Sequence, residues 1–221
     1  LPPANALPLL LPAFVGLLWL IASSQTAWRA ALAGWWFGFG HFLAACYWVG
    51  AALLTDPDKF AWVAVPAVIG LSAGLALFPA LAALAVFASR RTGIARLLVF
   101  AVAWTAAESL RGHVLSGFPM NLIGTTWSLS EGMIQLTALT GIYGLSFVTI
   151  LAAAAPALLA ERRGDQAVAA HWRTPVAAIL LLAVIWAGGT IRLAVVHSPE
   201  LPGIKLLIVQ ANIPQDLKWR A

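Results

Sequence analysis

Long apolar runs, broken by short polar stretches, organise most of this chain. With about 20 apolar residues needed for one helical crossing of a bilayer, the pattern predicts six membrane-spanning helices, at about 7–22, 31–53, 61–88, 95–112, 133–160 and 174–191. The third and fifth runs are long enough to tilt or to extend past the bilayer. After the sixth run the pattern changes. Residues 204–210, Ile-Lys-Leu-Leu-Ile-Val-Gln, are rich in β-formers and nearly continuous in apolar side chains, as a strand buried on both faces is. Asn212-Ile-Pro214-Gln-Asp216 then reads as a turn. The expected architecture is therefore an all-α polytopic bundle over residues 1–192, a linker at 193–203, and from 204 to 221 the first strand of a truncated further domain. One strand is not a domain, so a larger outward-facing unit is expected to begin there.

Composition agrees with a membrane bundle. Of the 221 residues, 62% are hydrophobic and 10% charged, with a mean hydropathy of +0.90. A soluble domain carries about 25% charged residues, so a single water-soluble core is excluded. The formal charge of +5 is carried largely by short loops, without a basic stripe interleaved with aromatics, which excludes nucleic acid as a partner. The lone cysteine, Cys46, permits no intrachain disulfide and no Cys/His metal spacing. The N-terminus shows no signal-peptide pattern and no starting methionine, so the chain reads as cut at both ends.

The loops divide into two sets. Arg29, Arg90, Arg91, Arg96, Arg162, Arg163 and Arg173 fall in loops on one side, seven of the thirteen basic residues. Loop 54–60 sets Lys59 beside Asp56 and Asp58, and loop 113–132 has no Lys or Arg. The positive-inside rule places the arginine loops in the cytoplasm and the other two, with everything after the sixth span, outside. Trp28, Trp35, Trp36, Trp48, Trp62 and Trp172 lie near span ends and read as interfacial anchors.

Chemistry concentrates in Glu108-Ser-Leu-Arg111-Gly-His113-Val-Leu-Ser-Gly117-Phe118-Pro119-Met-Asn121. Glu108 and Arg111 share a face of the fourth span at its outer end. They read either as a structural ion pair or as a lipid-headgroup site, since the arginine fork suits a phosphate. Charges at that depth need a partner or a task. Gly117-Phe118-Pro119 is a turn by composition, or a re-entrant piece lining a cavity. Gly34 and Gly38 stand four apart, a helix-packing spacing. His41 is expected to hydrogen-bond inside the bundle, His113 to be solvated, and Cys46 to be a small buried hydrophobe with no nucleophilic role. Gly141-Ile-Tyr143-Gly144 opens the fifth span, with Tyr143 placed to hydrogen-bond at the outer interface.

These pieces stand in a recognisable order. Gly38-Phe-Gly40 with Tyr47-Trp48, Glu108-x-Leu-Arg111-Gly112 with Gly117-Phe118-Pro119, Gly141-Ile-Tyr143-Gly144, and Val209-Gln-Ala-Asn-Ile-Pro214-Gln-Asp-Leu-Lys218-Trp219 run through almost the whole chain. The sequence resembles apolipoprotein N-acyltransferase, a bacterial inner-membrane enzyme. The resemblance implies eight transmembrane helices and a periplasmic αββα nitrilase-like domain inserted before the last. It implies a Glu-Lys-Cys triad in that domain, whose cysteine takes an acyl chain from a phospholipid as a thioester. The acyl group then passes to the α-amino group of the diacylglyceryl cysteine of an apolipoprotein, a ping-pong scheme with an activated thiolate. No metal or nucleotide cofactor is implied. The expected partners are the phospholipid donor, the apolipoprotein acceptor and the bilayer, with the protein a monomer.

The resemblance also marks what this sequence lacks. No residue matches the catalytic Glu, Lys or Cys, and Cys46 is not that cysteine, so the chain alone is expected to be inactive. The six runs correspond to the family's second to seventh helices. Trp219 matches a tryptophan on which the family's activity depends. Glu108, Arg111 and the loop after them, with Phe118 and Pro119, fit a portal through which lipid reaches the catalytic site, and Tyr143 is expected to support substrate binding or activity beside them. Two alternatives stand beside this reading. One is a secondary transporter, for which the halves show no convincing self-similarity. The other is a non-catalytic membrane anchor.

Overall fold

The computed structural model describes residues 7–54, 57–115, 117–160, 172–196 and 207–210. Among them every regular element is helical. The helices are α1 (Leu10–Ser23), α2 (Ala27–Ala45), α3 (Tyr47–Leu53), α4 (Pro57–Leu75), α5 (Leu77–Ser89), α6 (Gly93–His113), α7 (Glu131–Ile134), α8 (Thr137–Ala154) and α9 (Arg173–Val195). Short 3-10 turns cover Leu7–Leu9, Ile123–Trp127 and Ala155–Ala160.

Four of these runs are long and apolar enough to cross a membrane, Pro57–Ser89, Gly93–His113, Thr137–Ala160 and Arg173–Val195. A fifth is the bent pair α2–α3, whose axes differ by 50°. The first expected span, Leu7–Ser23, is shorter than these. The protein is thus a multi-pass membrane helix bundle.

Local sequence explains the breaks. Pro79 has no N–H to give to Leu75, so the 33-residue run divides at Ala76 between α4 and α5. Gly141 takes φ 67° and ψ −179°, a region open essentially to glycine alone, and kinks the start of α8.

The core is built on α1, α5, α6 and α8. Phe14 meets Phe37, Phe100 and Trp104 with ring centroids 4.9–5.9 Å apart in tilted or edge-on geometry. The expected packing role of Gly34 and Gly38 is what the structure shows. A Cβ on Gly34 would stand 2.7 Å from the Ala83 Cβ, and one on Gly38 would stand 2.8 Å from Pro79. Trp35 does more than anchor at an interface. Its indole N–H donates to the Ala73 carbonyl at 3.1 Å, and its ring stacks on Phe39. Helix α9 is peripheral: Ala178 and Gly189 are its buried residues, and Gly189 lies directly against the Gly132 backbone of α7.

Two sequence expectations change here. Segment 113–132 is not simply a solvated loop. After Phe118 it turns back into the bundle and buries Leu122, Ile123, Gly124 and Thr126. The expected strand is not formed among the described residues: Leu207, Ile208 and Val209 are 88%, 91% and 74% exposed without regular structure. A strand needs a neighbour to satisfy its backbone, and no other described segment is extended beside it. Residues 204–206, the turn at 212–216, and Lys218 and Trp219 lie outside the described residues, as do Arg162 and Arg163. Helix α9 runs to Val195, three residues into the expected linker.

Candidate functional site

The face of α6 that carries Trp104, Glu108 and Arg111 is buried, with Glu108 5% and Arg111 2% exposed. Each charged side chain reaches the re-entrant segment rather than forming the simple ion pair that their spacing suggests. Glu108 Oε1 accepts the backbone N–H of Ile123 at 2.9 Å and the indole N–H of Trp104 at 3.3 Å. Its other oxygen, Oε2, is buried without a hydrogen-bond partner. Arg111 Nη1 donates to the carbonyls of Phe118 and Met120, both at 2.6 Å. The Phe118 N–H returns a bond to the Arg111 carbonyl at 2.9 Å. The guanidinium also lies over the Phe42 ring at 5.0 Å and near the Phe118 ring at 5.8 Å. Desolvated cation–π contacts of this kind contribute up to about 2 kcal/mol each.

The segment is therefore fastened twice to one helix, by a carboxylate at Ile123 and a guanidinium at 118–120. It is fastened again to α8. The Gly124 N–H donates to Ser146 Oγ at 2.8 Å, and the Trp127 indole donates to Thr149 Oγ1 at 2.8 Å. Gly124 is needed at this contact, since a Cβ there would stand 2.9 Å from the Ile142 carbonyl oxygen and the Ser146 nitrogen. Irregular backbone within a bundle requires such internal satisfaction of its polar groups.

Asn121 ties the segment to the α2–α3 bend. Its backbone sits at φ 56°, a left-handed conformation that asparagine tolerates better than most residues. Its side-chain amide donates to the Cys46 sulfur at 3.5 Å, and His41 borders a small space together with it. His41 is half-buried beside Phe42, its ring edge-on to that of Phe42. Cys46 is fully buried at the bend, as expected. His113 is exposed, with Nδ1 2.7 Å from the Ser109 carbonyl.

Tyr143 closes the other side: a Cβ on Gly112 would come within 2.6 Å of its hydroxyl and 3.7 Å of Pro119. Glu108, Arg111, Phe118, Pro119 and Tyr143, from three sequence segments, therefore stand together at one end of the bundle. The space between Glu108, Arg111, His41 and Asn121, walled by Phe42 and Trp104, holds about 10 Å³, enough for one water at most. Apolar side chains crown the site: Leu115 is 99% exposed, and Pro119 and Met120 are exposed with it.

Residues 1–155, which contain this whole constellation, match the family model for the apolipoprotein N-acyltransferase N-terminal domain. The chain belongs to the apolipoprotein N-acyltransferase family. It is 43% identical over 227 residues to the apolipoprotein N-acyltransferase of Caulobacter vibrioides, covering 100% of this chain and 41% of that protein. It is 39% identical over 224 residues to the apolipoprotein N-acyltransferase of Rhodopseudomonas palustris, covering 98% of this chain and 41% of that protein. Against the same-named protein of Bradyrhizobium diazoefficiens it is 39% identical, covering 99% and 41%. The chain thus spans about two fifths of the length of these relatives.

For this member of the family, sequence reading missed three partners of the site. Trp104 precedes Glu108 by one helical turn, and that spacing was available as a signal. Asn121 and Ser146 carried none, because each acts through a contact distant in sequence.

Proposed function

We propose that the chain is the membrane platform of an apolipoprotein N-acyltransferase. In this reading an acyl chain leaves a phospholipid as a thioester on a cysteine outside residues 1–221. It then moves to the N-terminal amine of a diacylglyceryl cysteine on a lipoprotein. The observation that carries the reading is identity of about two fifths to proteins of that name over almost the whole chain. Family membership speaks against the transporter and the non-catalytic anchor.

The re-entrant segment suits the work of a platform. The substrates are bilayer lipids, and a soluble catalytic domain needs them presented at the membrane surface. Leu115, Pro119 and Met120 form an apolar rim at the end of α6, held by Arg111 and Glu108 beneath it. Arg111 acts here as a positioning residue, since its Nη1 is engaged by two loop carbonyls. The rim faces the periplasm, and the arginine loops face the cytoplasm, in an inner membrane. Trp219 belongs to the opening of the nitrilase-like domain.

The test is reconstitution of the full-length protein with phosphatidylethanolamine and a diacylglyceryl lipopeptide. Mass spectrometry should find one acyl chain moved to the lipopeptide amine and a thioester on the enzyme before lipopeptide is added. A lipopeptide that stays diacylated, with enzyme that carries no acyl adduct, would overturn the assignment.

A further inference from the structure

The other end of the bundle holds a larger opening that acyl transfer does not use. Here the end of α1, the end of α5 and the start of α6 frame a cleft of about 410 Å³, within the range of about 300–1,000 Å³ usual for small-ligand sites. Arg90, Arg91 and Arg96 line it together with the polar groups of Ser24 and Thr92, and no described lining residue is acidic. Ile21, Ala22, Val86 and Phe87 supply apolar lining beside them.

Local backbone geometry brings two consecutive arginines to one cleft. On a helix, neighbouring side chains diverge by about 100°. Arg90 leaves the helix, at φ 51° and ψ 20°, as the left-handed cap of α5, its N–H bonded to the Phe87 carbonyl at 3.3 Å. A non-glycine residue adopts this left-handed conformation at a steric cost. The turn redirects the chain so that Arg90 and Arg91 both border the opening. Helix α6 begins beside them, and its positive dipole end adds to the same field.

We propose that this cleft binds the phosphodiester headgroup of an anionic phospholipid in the leaflet at the arginine end of the bundle. Guanidinium forks match phosphate oxygens in geometry and charge. The apolar lining by Ile21, Val86 and Phe87 beside the arginines favours a lipid over a free anion, because a glycerol and its acyl chains need apolar surface next to the charge. Ser24 and Thr92 add hydroxyl groups at the same rim.

The experiment uses the full-length enzyme in nanodiscs of phosphatidylglycerol and phosphatidylcholine, with lipid retained after detergent release counted by native mass spectrometry. The wild type should retain phosphatidylglycerol in preference to phosphatidylcholine. Arg90→Gln with Arg91→Gln should lower that retention about thirty-fold, at roughly 1 kcal/mol for each basic residue at an anionic surface. Arg173→Gln, at the start of α9 and outside the cleft, should leave it unchanged. Arg90→Lys with Arg91→Lys preserves the charge that sets topology and should still lose part of the retention, because the fork is lost. Millimolar inorganic phosphate should not displace the lipid. Equal loss in the Arg173 variant, no loss in either paired variant, or displacement by phosphate would each overturn the proposal.

Discussion

Glu108 holds the backbone N–H of Ile123, fifteen residues further along the chain, at 2.9 Å inside the bundle. That bond makes the carboxylate a structural acceptor for irregular backbone at membrane depth. Glu108→Ala leaves the Ile123 N–H buried without a partner, at a cost of about 1–3 kcal/mol. Glu108→Gln keeps a carbonyl oxygen for the same N–H and should fall well below that cost. Thermal unfolding of the two variants in detergent measures the difference. Equal melting temperatures for Glu108→Ala and wild type would remove this role.

Arg111 secures the outer half of the same segment. Arg111→Ala removes two hydrogen bonds from a charged donor, which contribute about 1.5–3 kcal/mol each, together with the stacking over Phe42 and Phe118. The expected result in the full-length enzyme is acyl-enzyme formation slowed by about ten-fold or more, as misplacing a loop with the proposed role of presenting lipid implies. Arg111→Lys should recover part of the rate, since an ammonium reaches one carbonyl but lacks the fork. Quenched-flow mass spectrometry of the thioester gives the rate. Loading at the wild-type rate in Arg111→Ala would take Arg111 out of the mechanism.

Much of this bundle is legible in the sequence because membrane helices satisfy their own backbone, so apolar run length marks where they lie. The runs at 95–112 and 174–191 correspond to α6 and α9 within a few residues. The run at 31–53 hides its bend because Cys46 has no helix-breaking chemistry; the bend shows only in the backbone at φ −108° and ψ 9°. The site is half legible. Glu108 and Arg111 stand out as charges in an apolar run. Their partners do not, because the Ile123 N–H and the Phe118 and Met120 carbonyls are main-chain groups with no signature of their own. The strand expected at 204–210 follows β-propensity, which expresses fit to a neighbouring sheet, and the described residues supply none.

The glycine spacing in α2 yields a paired test. Gly34→Ala places a methyl 2.7 Å from the Ala83 Cβ and 2.9 Å from the Ala80 Cα, so α2 and α5 must separate. Overpacking of this kind costs about 1–3 kcal/mol. Gly40→Ala, on the same helix with nothing within 4 Å, should be neutral or stabilise by up to about 1 kcal/mol through helix propensity. Melting temperatures that move the two variants in the same direction would contradict the close α2–α5 approach.

Cys46 supplies the last test, because it separates burial from chemistry. Its side chain is fully buried and accepts the Asn121 amide at 3.5 Å, so neither a lipid carbonyl nor a maleimide has access while the segment is seated. Residues 1–221 incubated with phosphatidylethanolamine should show no acyl adduct on Cys46 by mass spectrometry. Maleimide labelling of Cys46 should be slow in the wild type. It should accelerate in Arg111→Ala, where the Phe118 and Met120 carbonyls are released and Asn121, immediately after them, loses its support. The rate then reports how often the segment unseats, a local opening with its own free energy. A thioester on Cys46, or labelling that is fast in the wild type and unchanged in Arg111→Ala, would mean that the segment does not shield the bend.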